Sequence, residues 1–343
     1  MKGDDAFRLG LIGSGLITAE AHLPAAIASP LIEVAAIVDT VPSHAERLAE
    51  SAGIRPRIST RLEDVLGEID GALIATPNHT HAPLALECLA AGVPVLVEKP
   101  LATSVEEGEA IARAARESQC VAAVGYCTRF LENVLFMNTL LESRFFGSVR
   151  RFAYQFGAVG GWSSLSGFHL DRRAVGGGAL VTVGTHFLDR MIRWFGYPDE
   201  CCLEDDSLGG PEANALATFR YASGPEGRAR FSRTIALQPG FVMETERGTV
   251  LLREGPSEPL RFRPVDHPVV ECRLVRTGGP IYAEDRGMFE HQLEDFVGAC
   301  REHREPRVPV EQGVEVIRLV EELYSRRTSM RTDWYDAARR PVP

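Results

Sequence analysis

The 343-residue chain is 45% hydrophobic and 24% charged, the balance of an ordinary soluble globular protein with length for two packed domains. Its formal charge of −10 and pI near 5.5 argue against nucleic acid or an anionic membrane as partner, because both reward a clustered basic face. Seven scattered cysteines (88, 120, 127, 201, 202, 272 and 300) show no CxxC spacing, which fits reduced thiols better than a disulfide or zinc framework.

No His/Cys/Asp/Glu cluster has metal-ligand spacing, so no metal is expected. The N-terminus carries acids where a signal peptide needs an apolar run, and no stretch approaches 18 apolar residues. The expected location is the cytoplasm. The adjacent Cys201 and Cys202 read as two buried small apolar residues.

Residues 8–12 form a short apolar run that ends in Gly13-Ser14-Gly15. A helical pattern through Leu16, Ala19, Leu23, Ala26 and Ile27 follows, then a second apolar run over 32–38 that closes on Asp39. Strand, glycine turn, helix and strand is the context in which a Gly-rich turn binds a dinucleotide. Gly13 permits the tight turn. Gly15, with Leu16 and Ile17 after it, lets main-chain N–H groups approach a pyrophosphate at the helix start. The third glycine of the motif is replaced by Thr18, which implies wider helix–strand spacing or a hydroxyl aimed at the ligand. Asp39 at the end of the second strand accepts from ribose hydroxyls and repels a 2′-phosphate, and no Arg follows at 40 or 41, so NAD is favoured over NADP.

The alternation continues with helices over 43–52 and near 62–66, a strand over 71–75, a helix over 83–91, a strand over 93–97, a helix over 104–118 and a strand over 121–124. Uniformly apolar strands separated by helices indicate a parallel sheet covered on both faces. The turns at 13–15, 76–81 and 98–100 all fall at carboxyl ends of strands, where ligands of such sheets sit. Lys99 stands out because lysine occurs only at 2 and 99, so that 37 − 2 = 35 of the basic residues are arginine. A lone internal lysine after a buried strand suggests proton chemistry, which a guanidinium does not support.

The combination of Gly13-x-Gly15, Thr76-Pro77-Asn78-His79-Thr80-His81 and Glu98-Lys99-Pro100 resembles the glucose-fructose oxidoreductase, inositol dehydrogenase and rhizopine-catabolism (Gfo/Idh/MocA) family. The resemblance implies an N-terminal Rossmann dinucleotide-binding domain over 1–125 within an α/β chain, and a substrate-binding and oligomerisation domain over 126–343. It also implies that Lys99 touches the reacting hydroxyl, that Glu98 helps seat the nicotinamide side, and that Thr76, Pro77, Asn78 and His81 line the cofactor.

Past Tyr126 a helix over 129–142 gives way to strand-like segments at 147–156, 213–221, 228–237, 249–252 and 269–275. Strands without intervening helices suggest an α+β domain with a large open, mainly antiparallel sheet, one face packed and the other free for contacts between copies of the chain. A homo-oligomer, dimer or tetramer, is expected. Helices over 288–301 and 310–324 close the chain. Residues 162–171 read as a loop reaching the substrate, in which Trp162, Phe168, His169 and Asp171 are suited to a polyol and Arg172-Arg173 to an anionic group. His22 and His44 read as ordinary helix residues.

Gly176-Gly177-Gly178 leads into a helix on which Thr182, His186 and Asp189 share a face. The segment resembles the family's glycine-rich stretch and implies that His186 is the catalytic acid/base, next to the substrate with Thr182. Relatives commonly carry Asp where this chain has Thr182. Three readings follow: another acid, Asp171 or Asp189, substitutes; the substrate needs less help from the base; or the protein no longer turns over. The expected function is an NAD(H)-dependent oxidoreductase moving hydride to or from a ring carbinol or ketone of a sugar, amino sugar or cyclitol. The alternatives are an NAD-retaining epimerase, lyase or glycosidase and a non-catalytic NAD- or sugar-binding sensor.

Overall fold

The computed structural model describes residues 6–160, 167–222, 224–253, 258–272 and 287–330. The first half builds a six-stranded sheet from β1 (Phe7–Ile12), β2 (Ile32–Val38), β3 (Arg57–Ser59), β4 (Gly71–Ile74), β5 (Val95–Val97) and β6 (Ala122–Val124), in the order β3-β2-β1-β4-β5-β6. All its pairings are parallel. Leu9, Leu11, Leu73, Val95 and Val97 are fully buried, because α1 (Leu23–Ala28), α2 (Pro42–Ala52), α3 (His81–Ala90) and α4 (Val105–Ser118) cover the sheet. Ser104 caps α4 by accepting from Glu107 N at 3.2 Å while Glu107 reaches back to Thr103 N, a reciprocal cap that contributes about 1 kcal/mol. The sheet reverses direction of growth between β1 and β4, the crevice where such folds bind ligands.

After α5 (Glu132–Glu142) the chain forms β7 (Val149–Gly157), the short α6 (Arg172–Val175), α7 (Thr185–Phe195), then β8 (Glu200–Asp205), β9 (Asn214–Arg220), β10 (Glu226–Ser232), β11 (Leu237–Thr245), β12 (Gly248–Arg253), β13 (Leu260–Pro264) and β14 (Val270–Cys272). With β15 (Arg327–Ser329) these make a nine-stranded sheet, β14-β13-β12-β11-β7-β10-β9-β8-β15, antiparallel except for β7-β10 and β8-β15. Its inner face packs on α7 through Phe187, which lies 4.6 Å from the Tyr154 ring, and Phe195, 4.6 Å from Phe152. The outer face is solvent-exposed and charged, with Arg151 paired to Glu244 and Arg220 to Glu200 across strands.

The last two helices return to the first sheet. α8 (Gly287–Glu302) sets Phe296 against Phe7 and Phe289 against His22, while α9 (Val310–Ser325) packs on α4.

Several sequence expectations change in detail. The expected strand over 228–237 is two strands, since β10 stops at Ser232 and β11 starts at Leu237, with a register shift before Gly240 where Pro239 and glycine interrupt the apolar pattern. β3, β8, β13, β15 and all of β11 beyond Leu237 lie outside the strands that the sequence suggests. In β8 the period of two separates the cysteines, Cys201 buried and Cys202 exposed, so they are not the two buried residues expected.

Candidate active site

β1 runs into Gly13, whose φ of +99° and near contact with Ala75 tolerate no side chain, since a Cβ would sit 2.5 Å from the Ala75 carbonyl oxygen. Gly15 is different. A Cβ there would meet nothing within 4 Å, so the space above the turn is open. Leu16 and Ile17 beside it are 54% and 41% exposed, apolar surface that a bound dinucleotide would cover. The residues therefore fit the NAD that the motif implies.

Asp39 closes the same corner. Its Oδ2 accepts from Ser14 N at 3.0 Å and from Ser14 Oγ at 2.6 Å, and its Oδ1 accepts from Val41 N at 2.9 Å, with His44 Nδ1 3.7 Å away. Thr18 does not face a ligand, contrary to one expectation. It is fully buried and donates to Gly13 O at 2.8 Å, and the turn it opens, Thr18–His22, is a π-helix ahead of α1.

At the end of β4 the half-buried Thr76 and Pro77 lie on the turn surface, with Thr80 Oγ1 2.6 Å from Thr76 Oγ1. Asn78 is buried and donates Nδ2 to Val175 O at 2.8 Å, joining this turn to α6. His81 corrects the expectation of a cofactor contact. It is 1% exposed, with Nδ1 2.8 Å from Pro100 O and Nε2 2.9 Å from Thr76 O, so it ties two loops together. Burial lowers its pKa, against the pull of the two carbonyl oxygens.

β5 delivers Glu98 and Lys99, followed by a cis Lys99–Pro100 bond. Glu98 is buried, accepting from His22 Nε2 at 2.7 Å through Oε1 and from Lys99 N at 2.9 Å through Oε2. Burial alone would raise its pKa; the hydrogen bond and charge of His22, together with Lys99 and His186, outweigh it and hold the carboxyl at about 2. His22 is thus no ordinary helix residue. It is fully buried and partners the acid next to the central lysine. Lys99 Nζ donates to the main-chain oxygen of Thr182 at 2.9 Å, and burial lowers its pKa despite Glu98.

Thr182 and His186 come from the glycine-rich segment. Gly177 and Gly178 admit no Cβ, which would lie 2.1 Å from Tyr324 Oη and 2.0 Å from Glu212 O respectively. The close approach lets Glu212 accept from Leu180 N at 2.9 Å and from Tyr324 Oη at 2.9 Å, while Tyr324 Oη accepts from Gly178 N at 3.2 Å. Neither Glu212 nor Tyr324 was singled out from the sequence, because they lie 32 and 146 positions from the groups they bind.

The segment 180–184 is a π-helix that passes into α7. The Thr182 hydroxyl donates back to Gly178 O at 2.9 Å, so it does not orient His186 as a carboxylate would. Of the two acids considered as substitutes, Asp189 is fully buried and paired with Arg129 at 3.1 Å, and Asp171 caps α6 through Arg173 N at 2.9 Å. His186 is half-buried, its Nδ1 without a hydrogen-bond partner among the described residues. Burial, then the charge of Lys99, lowers its pKa to about 3, with Glu98 pulling the other way. The imidazole is therefore neutral at physiological pH.

The structure brings Glu98, Lys99, the Thr182 main chain and His186 together at the carboxyl edge of the first sheet. His169 joins them: its ring lies tilted against Phe168 with centroids 4.0 Å apart, and burial together with the nearby charges of Arg233 and Lys99 lowers its pKa. Asp171 is exposed and serves its helix cap, which leaves its expected part in substrate binding without support. Trp162 lies outside the described residues. Among the described residues no group of three or more His, Cys, Asp or Glu could hold a metal ion.

Residues 7–126 match the GFO_IDH_MocA family model, described as an oxidoreductase family with an NAD-binding Rossmann fold. The rhizopine catabolism protein MocA of Rhizobium meliloti is 32% identical over 195 residues, 55% of this chain and 56% of that protein, so the chain spans only about half of MocA. The 1,5-anhydro-D-fructose reductase of Ensifer adhaerens is 26% identical over 317 residues, 90% of this chain and 92% of its own. Levoglucosan dehydrogenase in complex with NADH and levoglucosan shares the fold at a TM-score of 0.83 and 20% identity, over 93% of this chain and 96% of that one. Over residues 7–126 the chain thus matches the NAD-binding Rossmann domain of the Gfo/Idh/MocA oxidoreductases, and over most of its length it has the fold of levoglucosan dehydrogenase.

Proposed function

We propose that the protein is an NAD(H)-dependent dehydrogenase or ketoreductase acting on a ring carbinol or ketone of a sugar, amino sugar or cyclitol. The observation that carries this reading is the Lys99 Nζ to Thr182 O bond, which sets the lysine of the first sheet beside the helix bearing His186. The 1,5-anhydro-D-fructose reductase and levoglucosan dehydrogenase are by their names a sugar reductase and a sugar dehydrogenase, which supports net redox chemistry over a redox-neutral or a non-catalytic role.

Gly13, Gly15, Leu16, Ile17, Thr76, Pro77 and Asp39 would hold the dinucleotide, with Asp39 accepting from its ribose hydroxyls and rejecting a 2′-phosphate. When bound, NAD supplies a two-electron hydride acceptor next to the substrate carbon. Lys99 donates a hydrogen bond to the reacting oxygen, and neutral His186 takes the hydroxyl proton during oxidation and returns it during reduction. Asn78 and His81 act behind this surface, fixing the loops.

Residues 1–125 form the cofactor domain in this reading and 126–343 the substrate and oligomerisation domain, with α8 and α9 returning to the first. The exposed face of the large sheet, which holds a concavity of about 1130 Å³ lined by residues such as Arg151, Arg228 and Glu244, serves as the contact between copies in a dimer or tetramer. No helix among the described residues is long and apolar enough to cross a membrane, and we assign the protein to the cytoplasm. The test is NADH formation followed by absorbance across a panel of inositols, aldoses, amino sugars and anhydrosugars, with NAD and NADP compared. NAD-dependent turnover of at least one ring alcohol is expected; no turnover with any, despite NAD binding, overturns the reading.

A further inference from the structure

Tyr126 has no part in the reading above, yet its ring faces the imidazole of His186. It follows β6, is fully buried, and lies edge-on to His186 with centroids 5.9 Å apart and planes at 74°. Two buried polar atoms of this pair, the Tyr126 hydroxyl and His186 Nδ1, have no hydrogen-bond partner among the described residues. Native folds rarely leave such atoms unsatisfied, and a cluster of them at a site calls for a reason. The obvious partners are occupied elsewhere. The Thr182 hydroxyl bonds to Gly178 O, Asp189 to Arg129, Asp171 to Arg173 N, and the two oxygens of Glu98 to His22 and Lys99 N.

We infer that the Tyr126 hydroxyl is the positioning group for His186, accepting from Nδ1–H across one ordered water, in place of a carboxylate at position 182. This rests on the hydride-transfer reading of the same site. A phenol suits the task because its oxygen accepts while its own proton remains available to donate, which fixes the tautomer that leaves Nε2 bare. It differs from a carboxylate in adding no negative charge beside a future imidazolium. Burial, with Asp189 and Glu98 nearby, keeps the phenol protonated. Lys99, Glu98 and Arg190 are the charged groups acting on His186, and Asp189 and Glu98 those acting on Tyr126.

The test is the His186 tautomer in the full-length protein with NAD, read by ¹⁵N NMR of labelled histidine in the wild type and in Tyr126→Phe. The wild type is expected to hold one tautomer, Nδ1–H, and Tyr126→Phe to mix the two. Turnover should fall on the order of tenfold, the scale for losing an outer hydrogen-bond partner of a functional histidine, with NAD affinity unchanged. Adding Thr182→Asp to Tyr126→Phe should restore both the tautomer and the rate. A purely structural hydroxyl predicts the reverse: removing an unbonded buried O–H leaves stability equal or higher and the tautomer unmoved, and that result overturns the inference. A mixture of tautomers in the wild type overturns it without any variant. Failure of the hydride-transfer reading looks different, with no ring alcohol reducing NAD while the tautomer measurement still decides the role of Tyr126.

Discussion

Lys99 Nζ and the main-chain oxygen of Thr182 meet at 2.9 Å although 83 positions separate them. The bond runs from the loop after β5 to the π turn ahead of α7 and so joins the two sheets at the site. Its acceptor is a carbonyl dipole and not a carboxylate, so the ammonium is buried without full charge compensation there, which fits its lowered pKa.

The first prediction concerns this lysine. Lys99→Met keeps the length of the side chain and removes the donor, so turnover should fall by about 10²–10⁴ while NAD binding by calorimetry stays close to wild type. Lys99→Arg should not rescue it, since a planar, permanently charged fork neither fits one carbonyl nor shares a proton. Recovery of wild-type rate in Lys99→Arg would rule out a proton-sharing role.

The second prediction is the acid sensitivity of the fold. His186 has a folded pKa of about 3 against an unfolded value near 6.5, so the unfolded chain binds more protons between these values and stability falls as pH drops through that window. Glu98, held at about 2 against its ordinary 4.5, adds stability that is present above pH 4.5 and lost as pH falls toward 2. Thermal melts should therefore show Tm declining from about pH 6.5 downward, and His186→Gln should flatten the upper part of that decline and leave the lower part. An unchanged slope between pH 6.5 and 4.5 in the variant would show that His186 is already protonated in the native state.

What the sequence made legible was governed by local pattern. The strands bearing Leu9, Leu11, Leu73 and Val97 are uniformly apolar because both faces are covered, and the loops that follow them lie at one edge as parallel topology requires. The glycines at 13, 177 and 178 stood out for the same reason, since no other residue fits so close to a neighbouring chain. Side-chain partners across long separations left no such trace. His22 gave no signal of Glu98, 76 positions away, and Glu212 gave none of Tyr324, 112 away. Period-two strands with a polar outer face, such as β8 with its exposed Cys202, carry a weaker signal than buried ones and were missed.

His22 supplies the third prediction. Removing one member of a buried pair leaves a charge without its partner, and His22→Leu should destabilise the protein by about 3–5 kcal/mol by chemical denaturation. Glu98→Gln in the same background removes the stranded charge and should recover a large part of the loss. A single variant as stable as wild type would mean that Glu98 is protonated in the fold, against its lowered pKa.

The fourth prediction separates the two roles of Asp39. Its Oδ2 is hydrogen-bonded to both Ser14 N and Ser14 Oγ, so the carboxylate holds the glycine turn as well as facing the space where ribose hydroxyls would lie. Asp39→Ala removes both contributions, and hydrogen bonds to a charged group of roughly 1.5–3 kcal/mol translate into a 10- to 150-fold loss of NAD affinity. Ser14→Ala keeps the carboxylate and the main-chain donor and deletes only the hydroxyl, so its loss should be smaller, several-fold. Combining Asp39→Ser with Thr40→Arg removes the repulsion of a 2′-phosphate and adds a partner for it, and the ratio of kcat/KM for NADP over NAD should rise by at least 10²-fold. If Asp39→Ala binds NAD as tightly as the parent and the double variant keeps its preference for NAD, the carboxylate serves only the turn and the choice of cofactor is made elsewhere in the cleft.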